Sequence, residues 1–202
     1  MSAVPSSPAL IRVVFVLQDN SLVLDWAGPA EALRIANQLL RGAGQPERFK
    51  VEFAGVAPQS VGSVGITLAN IAPLPTQWDT PAWVVLVGLP GSTIGVDNDD
   101  ARALLHWLRG LRLKAGVMEL VTICAGTVIA AHAGLLAGRR ATTHHQHLDE
   151  LQQVEPRCDV VANRVFVLDP PLFSSAGVTT GIDLTLHRIA QTRGEALAAQ
   201  VA

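Results

Sequence analysis

A cysteine lies where a strand is predicted to meet a helix. Residues 121–127 read Val-Thr-Ile-Cys-Ala-Gly-Thr, a β-branched run followed by Cys124 and then by small residues. This pattern predicts a strand, a sharp turn and a helix from Gly126, with the thiol held in a strained position above the sheet edge. Free N–H groups of that helix are expected to lower the pKa of the thiol. Cys124 is therefore a candidate nucleophile, and a small packing residue is the alternative.

Asp25 is the second candidate for chemistry. It stands between an apolar run at 22–24 and the segment Trp-Ala-Gly-Pro at 26–29. One interpretation is a helix N-cap, because a carboxylate there accepts a hydrogen bond from the first turn. The other places Asp25 beside the sulfur, where a protonated carboxyl would donate to the thiolate and an ionised one would act as a base.

Three histidines form a cluster at His144, His145 and His147. Their spacings do not put three imidazoles on one helical face, and neither H-E-x-x-H nor C-x-x-C occurs, so no metal site is predicted. A single imidazole, from His144 or His145, near Cys124 would make a nucleophile–base pair. The remaining three are expected in helices as packing or surface residues: His106, His132 and His187.

A glycine turn at 88–92 follows a buried apolar run. Its Gly91 N–H and the Ala125 N–H would form a pair like an oxyanion hole, and a plain turn between strand and helix is the alternative. Neither a Walker A motif nor G-x-G-x-x-G is present, so nucleotide binding is not predicted. No other cofactor is predicted either.

Apolar runs of strand length alternate with helical segments, which predicts an α/β fold with a mostly parallel sheet. Ligands of such sheets bind at the carboxyl ends of strands. Predicted strands are 11–17, 49–56, 83–89, 118–123, 159–161, 164–168 and 172–176. Predicted helices are 29–40, 98–114, 126–136, 147–154, 179–191 and a last one from 195, with a hairpin at 59–68.

The composition and charge of the chain exclude several classes of protein. The chain has 202 residues, 49 % hydrophobic and 16 % charged, which suits one domain with a large core. A net charge of −2 provides no basic field for nucleic acid or an anionic membrane. Two cysteines make no disulfide framework, and residues 1–8 lack the features of a signal peptide, so a reducing cytoplasm is expected. No membrane span is predicted.

Five segments in fixed order carry a family resemblance: 24–29, 89–91, 123–126, 133–144 and 175–184. Together they resemble the ThiJ/PfpI superfamily, and the resemblance spans nearly the whole chain. It implies one domain over 1–202 with a flavodoxin-like, class I glutamine amidotransferase-like fold, helices on both sides of the sheet and a nucleophile elbow.

One branch of that superfamily is isonitrile hydratase, which converts an isonitrile into an N-substituted formamide. The resemblance implies Cys124 as nucleophile and Asp25 as its assistant. Those enzymes also use a threonine directly after the cysteine, and this chain has Ala125 there, so the catalytic set is incomplete.

The other branch is the N-terminal domain of AraC-type transcriptional regulators, which the runs at 175–187 and 193–202 resemble more closely. This favoured interpretation implies a small-molecule effector in a pocket above Cys124, homodimers, and DNA contact through a C-terminal helix-turn-helix domain absent from these residues. The expected ligand-binding residues are Gly91, Ala125, Gly126, His144 and His145. A third interpretation is a redox- or carbonyl-reactive protein whose exposed Cys124 thiolate oxidises readily to the sulfinate.

Overall fold

The computed structural model describes residues 9–202, in which helices surround a central sheet. Its strands are β1 Ile11–Leu17, β2 Phe49–Gly55, β3 Gln59–Val61, β4 Thr67–Ala69, β5 Ala72–Pro73, β6 Ala82–Leu86, β7 Met118–Ile123, β8 Arg140–Ala141, β9 Asp159–Val160, β10 Phe166–Asp169 and β11 Leu172–Ser175. Its helices are α1 Val23–Gly42, α2 Asp99–Arg109, α3 Gly126–His132, α4 Leu148–Val154, α5 Thr180–Arg193 and α6 Glu195–Val201.

The main sheet has seven strands in the order β10-β11-β7-β6-β1-β2-β5. All its neighbours pair in parallel except β10 and β11. Every residue of β6 and β7 is buried, as expected for parallel strands covered on both faces. The predicted α/β fold with a mostly parallel sheet is confirmed, and so is the hairpin, which β3 and β4 form.

Two groups of helices cover the sheet. Helices α1, α5 and α6 pack against one another, and α3 packs against both α2 and α4. The order of strands reverses at β1, whose neighbours are β2 and β6. Right-handed crossovers then place the helices on both faces and leave a crevice at the carboxyl ends of β1 and β6. Across residues 9–202, no helix combines the length and hydropathy needed to cross a membrane.

Helix α1 begins at Val23, so the predicted start at residue 29 is wrong. Pro29 stands inside the helix, although proline favours the first turn. Its missing N–H leaves one carbonyl of the preceding turn without a helical partner. Val23 and Leu24, two of the three apolar residues before Asp25, therefore belong to the helix.

Two other helices end earlier than predicted. Helix α2 stops at Arg109 because the chain turns and Lys114 bridges to Met118 ahead of β7. Helix α3 stops at His132, where Gly134 adopts a φ of +77°. A glycine in this left-handed conformation is a common end of a helix.

Candidate functional site

Cys124 occupies the corner between β7 and α3, with a φ of +55°. The Cys124 N–H donates to the Ser175 carbonyl at 3.1 Å, and the Cys124 carbonyl accepts the Thr143 hydroxyl at 2.8 Å. Positive φ is uncommon for any residue with a Cβ and marks local strain. The predicted strained corner is confirmed.

The environment of the sulfur favours the neutral thiol. Cys124 is only 4 % exposed, and burial together with the nearby Asp25 carboxylate raises its pKa from 9.0 to about 12. The Ala125 and Val178 N–H groups oppose that rise but are outweighed. The predicted lowering of the pKa is therefore wrong, because desolvation of the charged form exceeds the effect of two N–H dipoles. The exposed thiolate of the redox interpretation is wrong for the same reason.

Asp25 lies in the first turn of α1 and is 1 % exposed. The Gly88 N–H donates to its Oδ2 at 2.9 Å, while burial raises the carboxyl pKa from 3.8 to about 6. The N-cap of α1 is Leu22, so the N-cap interpretation of Asp25 is wrong.

Gly88 allows Asp25 and Cys124 to approach each other. A Cβ built on Gly88 would lie 2.9 Å from Asp25 Oδ2 and 2.9 Å from Cys124 Cβ. Any side chain here would collide with both groups. The carboxyl and the thiol therefore flank one glycine at the carboxyl end of β6.

His144 lies on the other side of the thiol. A Cβ built on Gly177 would be 2.8 Å from Cys124 Sγ and 3.2 Å from His144 Cδ2, so the absence of a side chain at Gly177 lets the sulfur and the ring approach the same space. The Gln146 N–H donates to His144 Nδ1 at 3.4 Å. Partial burial and the neighbouring imidazoles lower the pKa of His144, which keeps the ring neutral near pH 7.

The three clustered histidines have separate surroundings. His145 is exposed and its ring lies 4.2 Å from that of His144, between centroids. His147 is 3 % exposed, and its Nδ1 lies 2.7 Å from Glu150 Oε2. Glu150 Oε1 accepts the Ile94 N–H at 2.7 Å, so this pair holds the loop before α2. Within the described part of the chain, no three metal-ligating side chains converge.

The predicted N–H pair takes a different form around the sulfur. The N–H groups that face the sulfur belong to Ala125 and to Val178, which the sequence did not single out, and the oxyanion-hole-like pair of Gly91 and Ala125 stays a prediction. Gly91 is exposed, with a φ of +137°. Gly126 is buried, and a Cβ there would collide with the Leu86 carbonyl, so only glycine fits this position. Ligand contacts at Gly91, Ala125 and Gly126 remain predictions.

Two open clefts border the elbow, and Val178 lines both. Each has a volume of about 350 Å³. Val178 has a φ of +52° and is 52 % exposed, an unusual conformation for a β-branched residue. We call one of them the Asp25 cleft; it is lined by Asp25, Leu22, Leu24, Val64 and Val178. We call the other the His144 cleft; it is lined by His144, His145, Leu148, Asn163, Arg164, Val165, Val178 and Thr180.

A chain of buried hydroxyl groups supports the elbow from below. The Thr122 and Thr127 hydroxyls are 2.8 Å apart, and Thr127 Oγ1 donates to the Thr142 carbonyl at 2.9 Å. The Thr142 N–H donates to Ser174 Oγ at 2.9 Å. This network was not predicted from the sequence. Its only sign in the sequence is the presence of hydroxyl-bearing residues inside apolar runs.

Comparisons with known proteins fit this geometry. The DJ-1/PfpI family model matches residues 11–191. The HTH-type transcriptional regulator CdhR of Pseudomonas aeruginosa is 44 % identical over 99 residues, which are 49 % of this chain and 29 % of CdhR. The isonitrile hydratase of Pseudomonas putida is 30 % identical over 177 residues, 87 % of this chain and 69 % of that enzyme.

A solved structure shares the fold. The AraC family transcriptional regulator from Pseudomonas putida superimposes with a TM-score of 0.76 at 19 % identity, covering 95 % of this chain and 97 % of that one. The family match extends from β1 into α5 and includes the elbow. The chain therefore belongs to the DJ-1/PfpI family.

Proposed function

We propose that this chain is the ligand-sensing N-terminal domain of an AraC-family transcriptional regulator. In this proposal a small molecule binds beside Cys124, and DNA is contacted through a helix-turn-helix domain outside these 202 residues. The 99 residues matched to CdhR are 29 % of that regulator's length. The similarity to a transcriptional regulator supports the proposal.

The single observation that carries the proposal is the burial of Cys124, which is 4 % exposed and whose thiol pKa is raised by that burial. With a pKa of about 12, the thiolate fraction at pH 7 is on the order of one in 100 000. A nucleophilic cysteine needs that thiolate, and the Nδ1 of His144, the candidate base, accepts the Gln146 N–H. Ala125 also lacks the hydroxyl that the related enzymes use.

We assign the effector to the His144 cleft. Its lining combines the imidazoles of His144 and His145 with the polar side chains of Asn163 and Thr180. Its volume of about 350 Å³ lies within the range of small-molecule sites. Mixed apolar and hydrogen-bonding walls suit a small organic molecule with at least one polar group.

The effector site is tested by thermal unfolding with a panel of small carboxylic acids, amino acids and amines. A compound that raises Tm saturably in the wild type is then titrated into three variants. His144→Ala is expected to lose the response, while Cys124→Ala and the exposed control His106→Ala retain it. A response that survives His144→Ala contradicts the assignment.

An enzyme of the isonitrile hydratase type is the second candidate. The 30 % identity across 87 % of the chain and the placement of Asp25 beside Cys124 favour it. Incubation with an aliphatic isonitrile, followed by NMR for the N-substituted formamide, separates the two functions. We expect no formamide above the protein-free rate, and turnover that Cys124→Ala abolishes would overturn the sensor proposal.

We propose further that the domain acts as a homodimer in the cytoplasm without a membrane partner. Sedimentation equilibrium measures the mass directly, against 21.3 kDa for one chain. A mass near twice that value supports the dimer, and a single-chain mass at high micromolar concentration contradicts it.

A further inference from the structure

A third cleft lies at the opposite edge of the sheet from Cys124. It is formed by the amino ends of β1, β6 and β7 together with the last turns of α5, and its volume is about 250 Å³. Arg48, Trp83, Glu119 and Arg188 line it. Neither the sensor proposal nor the enzyme alternative uses these residues.

Arg188 is buried in this cleft, with 7 % of its surface exposed. Its guanidinium carbon lies 4.6 Å from the centre of the Trp83 ring and 3.8 Å from that of Phe173. Nη2 pairs with Glu119, and Nη1 donates to Gln191 at 2.8 Å. Its Nε–H has no acceptor among residues 9–202.

Arg48 brings further unsatisfied donors to the same cleft. Its Nε and Nη1 are both buried and have no acceptor in the described chain. Burial lowers the pKa of the Arg48 guanidinium, and charge repulsion from the nearby Arg193 lowers it further. The site therefore concentrates positive charge as well as free N–H groups.

Glu119 cannot satisfy these donors. Its Oε1 accepts the Gly116 N–H at 2.8 Å, and its Oε2 is paired with Arg188. The segment before residue 9 contains neither Asp nor Glu, so it has no carboxylate side chain to offer. Buried guanidinium donors without acceptors are unfavourable, and native proteins rarely leave them so.

We propose that this arginine cleft, defined by Arg48 and Arg188, binds a small phosphate-type oxyanion. Several oxygens around one centre match the fork of an arginine, which binds such groups through two parallel N–H donors. A volume of about 250 Å³ is below the usual range for larger ligands, so the site suits a phosphoryl group on its own or on a very small molecule.

Calorimetric titration of the purified chain with inorganic phosphate at low ionic strength tests the proposal, with chloride at matched ionic strength as the blank. One saturable site is expected. Arg48→Gln should weaken binding about tenfold or more, because it removes charge-assisted hydrogen bonds. The matched control Arg102→Gln, at an exposed position on α2, should bind as the wild type does. A parallel titration with glycerol 3-phosphate identifies whether free phosphate or a phosphate monoester is preferred.

NMR locates the binding without any mutation. Phosphate should shift the arginine Nε–H signals of Arg48 and Arg188 and the indole N–H signal of Trp83. The proposal is overturned if neither phosphate nor the monoester binds saturably to the wild type. Equal affinity in Arg48→Gln, or shifts confined to other signals, would overturn it as well.

Discussion

At Cys124 two physical effects act in opposite directions. The elbow supplies N–H groups that favour the thiolate, and the close packing that creates the elbow removes the water a thiolate needs. Burial dominates because Gly88, Gly126 and Gly177 let neighbouring groups approach without intervening side chains. The corner could be predicted from the sequence motif, but the ionisation state depends on packing that the motif does not contain.

Replacing Asp25 by Asn should stabilise the fold at neutral pH. The folded pKa is about 6, above the ordinary 3.8, so the folded chain binds more protons between these values and loses stability as pH rises from about 4 to about 6. Asp25→Asn should then raise the free energy of unfolding by about 3 kcal/mol at pH 8 and by little below pH 4. Urea unfolding at both pH values measures the difference.

The exposed Asp79→Asn serves as the control for that experiment, with no pH-dependent gain expected. If Asp25→Asn has the same effect at pH 4 and at pH 8, or destabilises the chain at pH 8, the assignment of a buried, destabilised carboxylate is contradicted.

The absence of a side chain at Gly177 leaves room for the sulfur and the His144 ring to approach each other, and Gly177→Ala tests this packing. Its φ of +135° strains any L side chain, and the new Cβ would lie 2.8 Å from Cys124 Sγ. Gly134 has a φ of +77° but nothing within 4 Å, so Gly134→Ala carries the strain alone. Thermal unfolding should show that Gly177→Ala lowers the free energy of unfolding by about 1–3 kcal/mol more than Gly134→Ala does. Equal losses would contradict the packing described for the site.

At the scale of elements, Thr127 joins helix α3 to both strand β7 and the segment before His144. Thr127→Val keeps the shape but removes hydrogen bonds to Thr122 and to the Thr142 carbonyl. Leaving these buried groups unsatisfied should destabilise the fold by about 1–3 kcal/mol. Thr67→Val, at an exposed position in β4, is the matched control. Chemical unfolding should show a lower free energy of unfolding for Thr127→Val than for Thr67→Val. Equal stability would show that the network contributes nothing.

Strands were easier to predict than helix ends. Mostly apolar runs rich in β-branched residues, such as Ile11–Leu17 and Met118–Ile123, are typical of strands covered on both faces, and both were predicted with the bounds observed. Helix α1 was misread because Pro29 resembles a first-turn residue when only local rules are applied. Val178 could not be found from sequence, since a β-branched residue gives no signal for positive φ.

At the scale of the whole molecule, the two edges of the sheet differ in chemistry. The carboxyl edge holds a neutral thiol between two clefts, as α/β folds commonly place their ligands. The amino edge holds buried arginines with unsatisfied donors. Family membership alone does not distinguish a sensor from an enzyme, because one fold supports both. We propose that the protonation state of Cys124 makes that distinction.

The rate of alkylation of Cys124 by iodoacetamide, measured against pH by peptide mass spectrometry, tests that state most directly. Cys158→Ser leaves Cys124 as the one thiol of the chain, and the urea-unfolded protein supplies the reference rate. A pKa of about 12 predicts that the folded protein reacts on the order of a thousandfold more slowly at pH 7.5, with no plateau below pH 10. A rate that levels off below pH 8 would reveal a stable thiolate and contradict the sensor proposal.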